Sequence, residues 1–319
     1  MKAPSFWQEH GFWSRLLRPV AGHYGRIVQR KLKQKARHRS RLPVICIGNV
    51  TMGGSGKTPV VDAIAQMLKE QGKHPAILMR GYGGTAKKPL WVTAETDARL
   101  CGDEALLHAR IAPTLVSPDR ALGAQHIEMN PVLTHILMDD GLQNPSLQKT
   151  VSIAVIDGKN PFGNGQLFPA GPLRETLESA LPRLQALVVL GEDRLHLATQ
   201  YQFLLPVFQG KTIAVNGHEF AGKPVIAFAG IGNPAKFFQS LADSDAVLIK
   251  TYSYADHYFY QEHDIQSMLD EAKRIGALLV TTRKDWVRLT EVQQHAIRVL
   301  DVTLQWQDES ALRDFLSQQ

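Results

Sequence analysis

An α/β architecture is predicted for this 319-residue chain: a P-loop domain built on a parallel sheet, a second, smaller α/β domain, and an N-terminal amphipathic helical arm. Three observations predict it. Short β-branched runs alternate with helical stretches through most of the chain, the pattern of a largely parallel sheet. A glycine-rich loop joins the first such run to a periodic helix. Charge is unevenly divided: eleven of the 36 Lys and Arg but only one acid, Glu9, lie within residues 1–42, so an arm of +10 precedes a body of −4. The length suits about two domains. A composition with 44% hydrophobic and 21% charged residues excludes wholesale disorder, collagen and coiled coil.

The arm is patterned. Trp13, Leu16, Leu17, Val20, Tyr24, Ile27 and Val28 recur at helical spacing, with Arg15, Arg18, Arg26 and Arg30 between them. Two readings are open. In one, Phe6, Trp7, Trp13 and Leu16 enter a membrane interface while the arginines meet anionic headgroups. In the other, the helix packs on the protein's own core and a solvated basic linker follows. Nucleic acid is not expected as a partner, because the body is acidic, and no obligate protein partner is expected. No apolar stretch approaches the roughly 18–20 residues needed to span a bilayer. Ser14, Arg15 and Pro19 interrupt what would be the core of a signal peptide, so neither a transmembrane span nor secretion is expected. Cys46 and Cys101 show neither metal nor disulfide spacing and read as core residues.

Beyond the arm (1–42), the expected units are the P-loop domain (43–205), a linker of turns and short strands (206–222) and the smaller domain (223–319). Strands are expected at 44–50, 76–79, 114–116, 135–138, 151–156 and 186–190 in the first unit. In the second they are expected at 225–229, 246–251, 278–281 and 299–302.

The strongest signal is Gly48-Asn49-Val50-Thr51-Met52-Gly53-Gly54-Ser55-Gly56-Lys57-Thr58-Pro59. It leaves an apolar strand and enters a periodic helix, the context a phosphate loop needs. Gly53, Gly54, Ser55 and Gly56 let backbone N–H groups converge on phosphate oxygens at a helix N-terminus. Lys57 is expected at the β and γ phosphates and the Thr58 hydroxyl on Mg²⁺. Thr51 stands where the usual pattern has its first glycine. The guanine-reading N-K-x-D is missing, since Thr282-Arg283-Lys284-Asp285 has its lysine misplaced, and Met52 replaces the signature lysine of partitioning ATPases. A second signal is the apolar strand ending in Asp139-Asp140-Gly141-Leu142-Gln143, which suits a metal-holding strand end, although Asp-Asp-Gly is also a common turn.

Six strings in order resemble one family: residues 49–58, Met79-Arg80-Gly81-Tyr82-Gly83, Gly102-Asp103-Glu104, Asp139-Asp140-Gly141-Leu142-Gln143, Leu173-Arg174-Glu175 and Asp256-His257-Tyr258. Together they resemble tetraacyldisaccharide 4′-kinase, the lipid A 4′-kinase of Gram-negative bacteria, whose loop also lacks the first glycine. The likeness runs from about residue 44 to 289. It implies a P-loop kinase-type fold and transfer of the ATP γ-phosphoryl group, with Mg²⁺, to the 4′-hydroxyl of tetraacyldisaccharide 1-phosphate, giving lipid IVA. It also implies peripheral attachment to the cytoplasmic face of the inner membrane.

The resemblance further implies that Asp103 is the base, paired with His257, and that Asp139, Asp140 and Glu175 lie at the metal, with Arg174 nearby. Arg80 and Arg120 are candidates for acceptor contacts. The family's Asp-Gly-Phe-Gln-His reads Asp-Gly-Leu-Gln-Asn here, so Asn144 is a candidate for a substrate contact that this departure puts in doubt, packing or hydrogen bonding being the alternative. Read without the family, Asp103 is a helix cap, His257 a loop residue, and Gly230-Ile231-Gly232 a plain strand–helix turn. The Asp103–His257 pairing requires the two α/β units to approach. The rival readings are a soluble kinase of a small hydroxylated metabolite and a nucleotide-switched, membrane-recruited ATPase.

Overall fold

The computed structural model of the chain describes residues 4–318. In chain order the strands of the larger unit are β1 (Val44–Gly48), β2 (Pro75–Met79), β3 (Leu90–Val92), β4 (Thr114–Val116), β5 (His135–Asp139), β6 (Val151–Asp157), β7 (Ala186–Leu190) and β8 (Val207–Ala214). The smaller unit contributes β9 (Pro224–Ala229), β10 (Val247–Ser253), β11 (Leu278–Thr282) and β12 (Arg298–Leu300), after which β13 (Val302–Trp306) returns to the larger one. The large sheet runs β13-β8-β7-β6-β1-β5-β2-β4-β3 and the small one β10-β9-β11-β12. Only the edge strands β3 and β13 are antiparallel to their neighbours.

Both faces of the large sheet are covered, so its inner strands are apolar throughout, as parallel strands must be. β1, β2 and β7 are buried at every position. The helix Lys57–Glu70 buries Val60, Val61, Ile64, Ala65, Met67 and Leu68, a stripe at i, i+1, i+4, i+5, i+7 and i+8 that faces the sheet. Each such side chain contributes about 1.5–3 kcal/mol of burial. In the small unit, Phe237 and Leu241 cover one face of the sheet and Ile265, Met268 and Ala272 the other.

The position of β1 creates the site. It lies between β6 and β5, with Ile47 beside Asp139 and Gly48 beside Ala154 in register. The chain leaves β1 at a topological switch point, where open α/β sheets bind ligands at the carboxyl ends of their strands.

Two expected boundaries are corrected. Residues 207–214, read as linker, are β8, whose partly buried pattern gave only a weak strand signal. The smaller unit does not extend to residue 319. Asp301 breaks the run expected at 299–302 into β12 and β13, held by a pair of bonds from Arg283. Leu304 and Trp306 then bury on the large core with Leu312 and Leu316 of the final helix, Glu309–Ser317.

The arm folds as helices Phe12–Leu16 and Arg18–Leu32. Ser14, Ala21 and Val28 face the body, whereas Phe12, Trp13, Leu16, Val20 and Ile27 are each more than half exposed. Trp7 does not join the outward stripe in which it was expected. Instead its Nε1 donates to the Pro169 carbonyl at 3.1 Å and its ring meets Phe168 edge-on at 6.1 Å. Asn164, 4% exposed, anchors this corner by donating to the Phe6 and Ala170 carbonyls. The basic linker is partly tied down, since Arg37 pairs with Asp119 at 2.7 Å and His38 lies 2.8 Å from Glu128. Lys2 lies outside the described residues. Among them no helix is long and apolar enough to cross a membrane.

Candidate functional site

The loop between β1 and the following helix owes its shape to local chemistry. Gly53 and Gly56 adopt φ of +103° and +83°, the left-handed region that only glycine enters freely. Open space lies where a Cβ would stand on Gly53 or Gly54, so backbone N–H groups there are approachable by an anion. From inside, the buried Asn49 side chain donates to Ser55 Oγ at 2.9 Å and to the Gly53 carbonyl at 3.4 Å. Outside, Met52 N donates to the Pro172 carbonyl and Arg174 N to the Val50 carbonyl, which ties the loop to the segment carrying Arg174 and Glu175.

Asp139 and Asp140 end β5 beside the loop. Asp140 Oδ1 lies 3.8 Å from Lys57 Nζ and accepts from Arg174 Nη1 at 2.6 Å. Burial would raise the Asp140 carboxyl, but Lys57 and Arg174 hold it below the usual carboxylate range. Asp139 is 4% exposed, and its Oδ1 has no hydrogen-bond partner among the described residues. A buried acceptor left open is costly, and this one suits a cation or its bound water. Among the described residues no group of three or more His, Cys, Asp or Glu side chains is arranged to hold a metal. Mg²⁺ at a nucleotide site needs only one or two carboxylates besides phosphate oxygens and water, so Thr58 and Asp139 fit it.

The other expected residues separate. Glu175 is buried, and its oxygens accept from Gln143, Arg183 and Ser179. Both oxygens accept from protein donors, so in this structure Glu175 organises Gln143. Arg120 is 4% exposed and donates to the Ser117 carbonyl at 2.7 Å and the Asp139 carbonyl at 3.5 Å. Burial lowers its pKa to about 10 against the opposing pull of Asp139 and Asp140. It braces the end of β5, while its buried Nε has no hydrogen-bond partner among the described residues. Asn144 turns into its own loop, accepting from Ser146 N and Oγ, which satisfies the side chain locally. Arg80 stays exposed at the end of β2.

Asp103 opens the helix Asp103–Ala109. Gly102 before it has φ +84°, and a Cβ there would collide with the Tyr82 carbonyl, so glycine is required for the Arg80–Gly83 loop to pack against this helix start. His257 arrives from the other unit with φ +59°. Its Nδ1 lies 3.0 and 3.1 Å from the two Asp103 oxygens, and its ring lies 5.6 Å from that of Tyr82. Asp103 also accepts from Glu104 N at 3.0 Å, so it closes the helix end and meets His257 at once. Gly230 is a packing point, as a plain strand–helix turn would make it, and its N–H donates to Asp285 Oδ1.

Sequence reasoning missed three groups. His108 is fully buried, with Nδ1 2.6 Å from Asp62 and Nε2 3.5 Å from Asp139. Burial opposes its charge, yet the two carboxylates raise its pKa to about 10. It links the loop helix, β5 and the Asp103 helix. Lys284 and Arg288, four residues apart at the end of β11, reach the Asp103–His257 pair. Their spacing after a strand was the only signal available. Finally, a cavity of about 450 Å³ opens between the arm and residues 167–179, lined by Gly22, Arg26, Arg30, Leu167, Arg174 and Ser179 among others.

A nucleotide loop, strand-end carboxylates and an Asp–His pair are therefore held in one chain. A family model, LpxK, tetraacyldisaccharide-1-P 4′-kinase, matches residues 13–319. The chain belongs to this family. A tetraacyldisaccharide 4′-kinase of Paramagnetospirillum magneticum is 44% identical over 318 residues, covering 98% of this chain and 97% of that protein. One from Methylorubrum extorquens is 41% identical over 324 residues, covering 99% and 98%. The "apo" form of LpxK from Aquifex aeolicus in complex with ATP superposes with a TM-score of 0.76 at 25% identity, over 96% of this chain and 98% of that one. The family assignment thus extends from within the arm to the final helix, well beyond the six strings.

Proposed function

We infer that this chain transfers the γ-phosphoryl group of ATP to the 4′-hydroxyl of tetraacyldisaccharide 1-phosphate, forming lipid IVA in lipid A biosynthesis. The observation that carries the reading is the placement of Lys57, Asp139 and Asp140 at the end of β1 and β5, in a chain that matches the kinase family over residues 13–319. Labelling with [γ-³²P]ATP, Mg²⁺ and the acceptor should yield labelled lipid IVA; a folded, ATP-binding preparation that gives none defeats it.

Phosphoryl transfer has a loose transition state, so this chain works by positioning and by neutralising charge. Backbone N–H groups of residues 53–57 cradle the β and γ phosphates, and Lys57 meets the charge that develops there. When bound, Mg²⁺ would be held by Thr58 and Asp139 and would supply further cationic charge for the phosphoryl group. Asp140 keeps Lys57 and Arg174 oriented from behind. Asp103 and His257 remove the acceptor proton, which leaves late and so needs a well-placed base more than a strong one.

The cavity between the arm and residues 167–179 offers the acceptor a cationic binding surface. Arg26, Arg30 and Arg174 line it, and guanidinium groups suit phosphate and hydroxyl oxygens. Arg80, exposed beside Tyr82, is a further group for phosphate or sugar.

The enzyme works from the cytoplasmic face of the inner membrane. The exposed stripe Trp13, Leu16, Val20 and Ile27 enters the interface while Arg15, Arg18 and Lys31 meet anionic headgroups, at about 1 kcal/mol per basic residue. Sedimentation with phosphatidylglycerol vesicles checks this. Wild type should pellet and Trp13→Asp/Leu16→Asp should not; equal pelleting of the two would discard the stripe as the docking surface.

A further inference from the structure

Asp103 is met from the smaller unit by a cation that proton transfer does not obviously require. Arg288 Nε donates to Asp103 Oδ2 at 2.9 Å, and Nη2 donates to the same oxygen. Its third nitrogen, Nη1, donates to the Gly230 carbonyl at 3.2 Å, the Tyr258 carbonyl at 3.4 Å and Asp285 Oδ1 at 3.1 Å. Asp285 is itself fixed by Gly230 N and the Tyr260 hydroxyl. The two side chains are almost fully buried, at 1% and 5% exposed. Arg288 is therefore clamped from behind by its own unit and presents a rigid fork to Asp103 across the cleft, which a guanidinium does and an ammonium cannot.

The same contact orders His257. Its Nδ1 faces Asp103, while Lys284 Nζ lies 3.4 Å from its Nε2. An ionised carboxylate only accepts, so the proton between the two sits on Nδ1 and Asp103 accepts it, while Nε2 also lies 3.7 Å from Asp256 Oδ2. Lys284 is held in turn by Glu104 at 3.3 Å and Asp256 at 3.4 Å.

Stability alone is a poor account of this pair. Buried ion pairs replaced by well-packed apolar residues are often as stable or more so, and Arg288 and His257 meet the same carboxylate. We propose that Arg288 is a positioning residue for phosphoryl transfer: its fork holds Asp103 as an oriented carboxylate against His257 Nδ1, with Lys284 at the opposite ring nitrogen. The proposal rests on reading Asp103 and His257 as the catalytic pair.

Burial by itself would raise the Asp103 carboxyl. The His257 hydrogen bond and the Arg288 and Lys284 charges override it and hold the group well below the usual carboxylate range. The remaining charged or titratable neighbours are Cys101 and Glu104 on its own segment, with Asp256 and Asp285 behind the two cations. Removing Arg288 leaves burial in place and deletes a major opposing charge, so the Asp103 pKa must rise.

The test uses the full-length enzyme in detergent micelles with labelled ATP and the lipid acceptor, comparing wild type, Arg288→Met, Arg288→Lys and Asp103→Asn. Arg288→Met should lose about a hundredfold or more in kcat with ATP KM within about twofold. The acid limb of its pH profile should move up by about 1–3 units. Arg288→Lys should fall between the two in both respects. If Arg288→Met only lowers the folded fraction, leaving turnover per ATP-binding site and the acid limb as in wild type, the proposal is overturned. Should Arg288→Met not fold, Arg288→Lys decides: an intermediate kcat with a displaced limb supports the proposal, and wild-type values refute it. Wild-type turnover in Asp103→Asn would instead remove the catalytic reading of Asp103, and this proposal with it. An inactive Asp103→Asn beside a wild-type-like Arg288→Met removes only the role of Arg288.

Discussion

The glycine-rich loop and the Asp103–His257 pair are built in opposite ways. The loop is twelve consecutive residues, and its geometry comes from two left-handed glycines and the Asn49 side chain folded inside it. The pair joins residues 154 positions apart and depends on Lys284 and Arg288, still further along the chain. A local site is set by backbone chemistry and can be altered without disturbing the core. The non-local one is part of the packing between two units, so its variants change rate and stability together.

Breaking the loop side should have the largest kinetic effect. Lys57→Ala should lower kcat by about 10²–10³-fold while the melting temperature stays within a degree or two of wild type, read by labelled transfer and calorimetry. A comparable loss of stability would show that the loop is not local after all. At the pair, His257→Ala should reduce kcat by about a hundredfold and leave ATP KM nearly unchanged, as expected for a group that does not touch nucleotide. Unchanged turnover would take His257 out of the chemistry.

Gly102→Ala sharpens the contrast. The new Cβ collides with the Tyr82 carbonyl at φ +84°, at a cost of about 1–3 kcal/mol, and shifts Asp103. Urea denaturation and kcat should fall together here, whereas at Gly54, with open space at its Cβ position, alanine should affect nucleotide binding alone. The smallest effect is one of pH. Because the folded Asp103 carboxyl is depressed, its contribution to stability is present above the unfolded value near ~3.9 and is lost as pH falls through the folded value. Wild-type stability should therefore decline below about pH 4 more steeply than that of Asp103→Asn. Parallel acid denaturation curves would mean that the pair does not stabilise the closed cleft.

Much of this is legible in the chain. β1, β5 and the loop helix are apolar runs of unmistakable period, and Lys57, Thr58, Asp139 and Asp140 stand where those runs end. The departures share a cause. β8 and β13 are edge or near-edge strands, half-exposed and interrupted by Gly210 and Asp301, so their pattern is weak. Trp7 and Glu175 suggest outward roles by residue type, yet each is held by partners more than five residues away or, for Trp7, 162 away in sequence. His108 looks like any histidine until Asp62 and Asp139 close around it.

The phosphate loop, the parallel order of elements that builds on it, and the charge asymmetry of the arm are all written into the linear chain, because each follows from neighbours along it. Three outcomes belong to the folded molecule alone: Trp7 faces inward while Trp13 faces out, the last strand rejoins the first unit, and Arg288 and Lys284 flank Asp103 and His257. Those outcomes depend on which distant surfaces exclude water from one another, and the burial that raises or lowers a carboxyl's pKa exists only once the two units are packed.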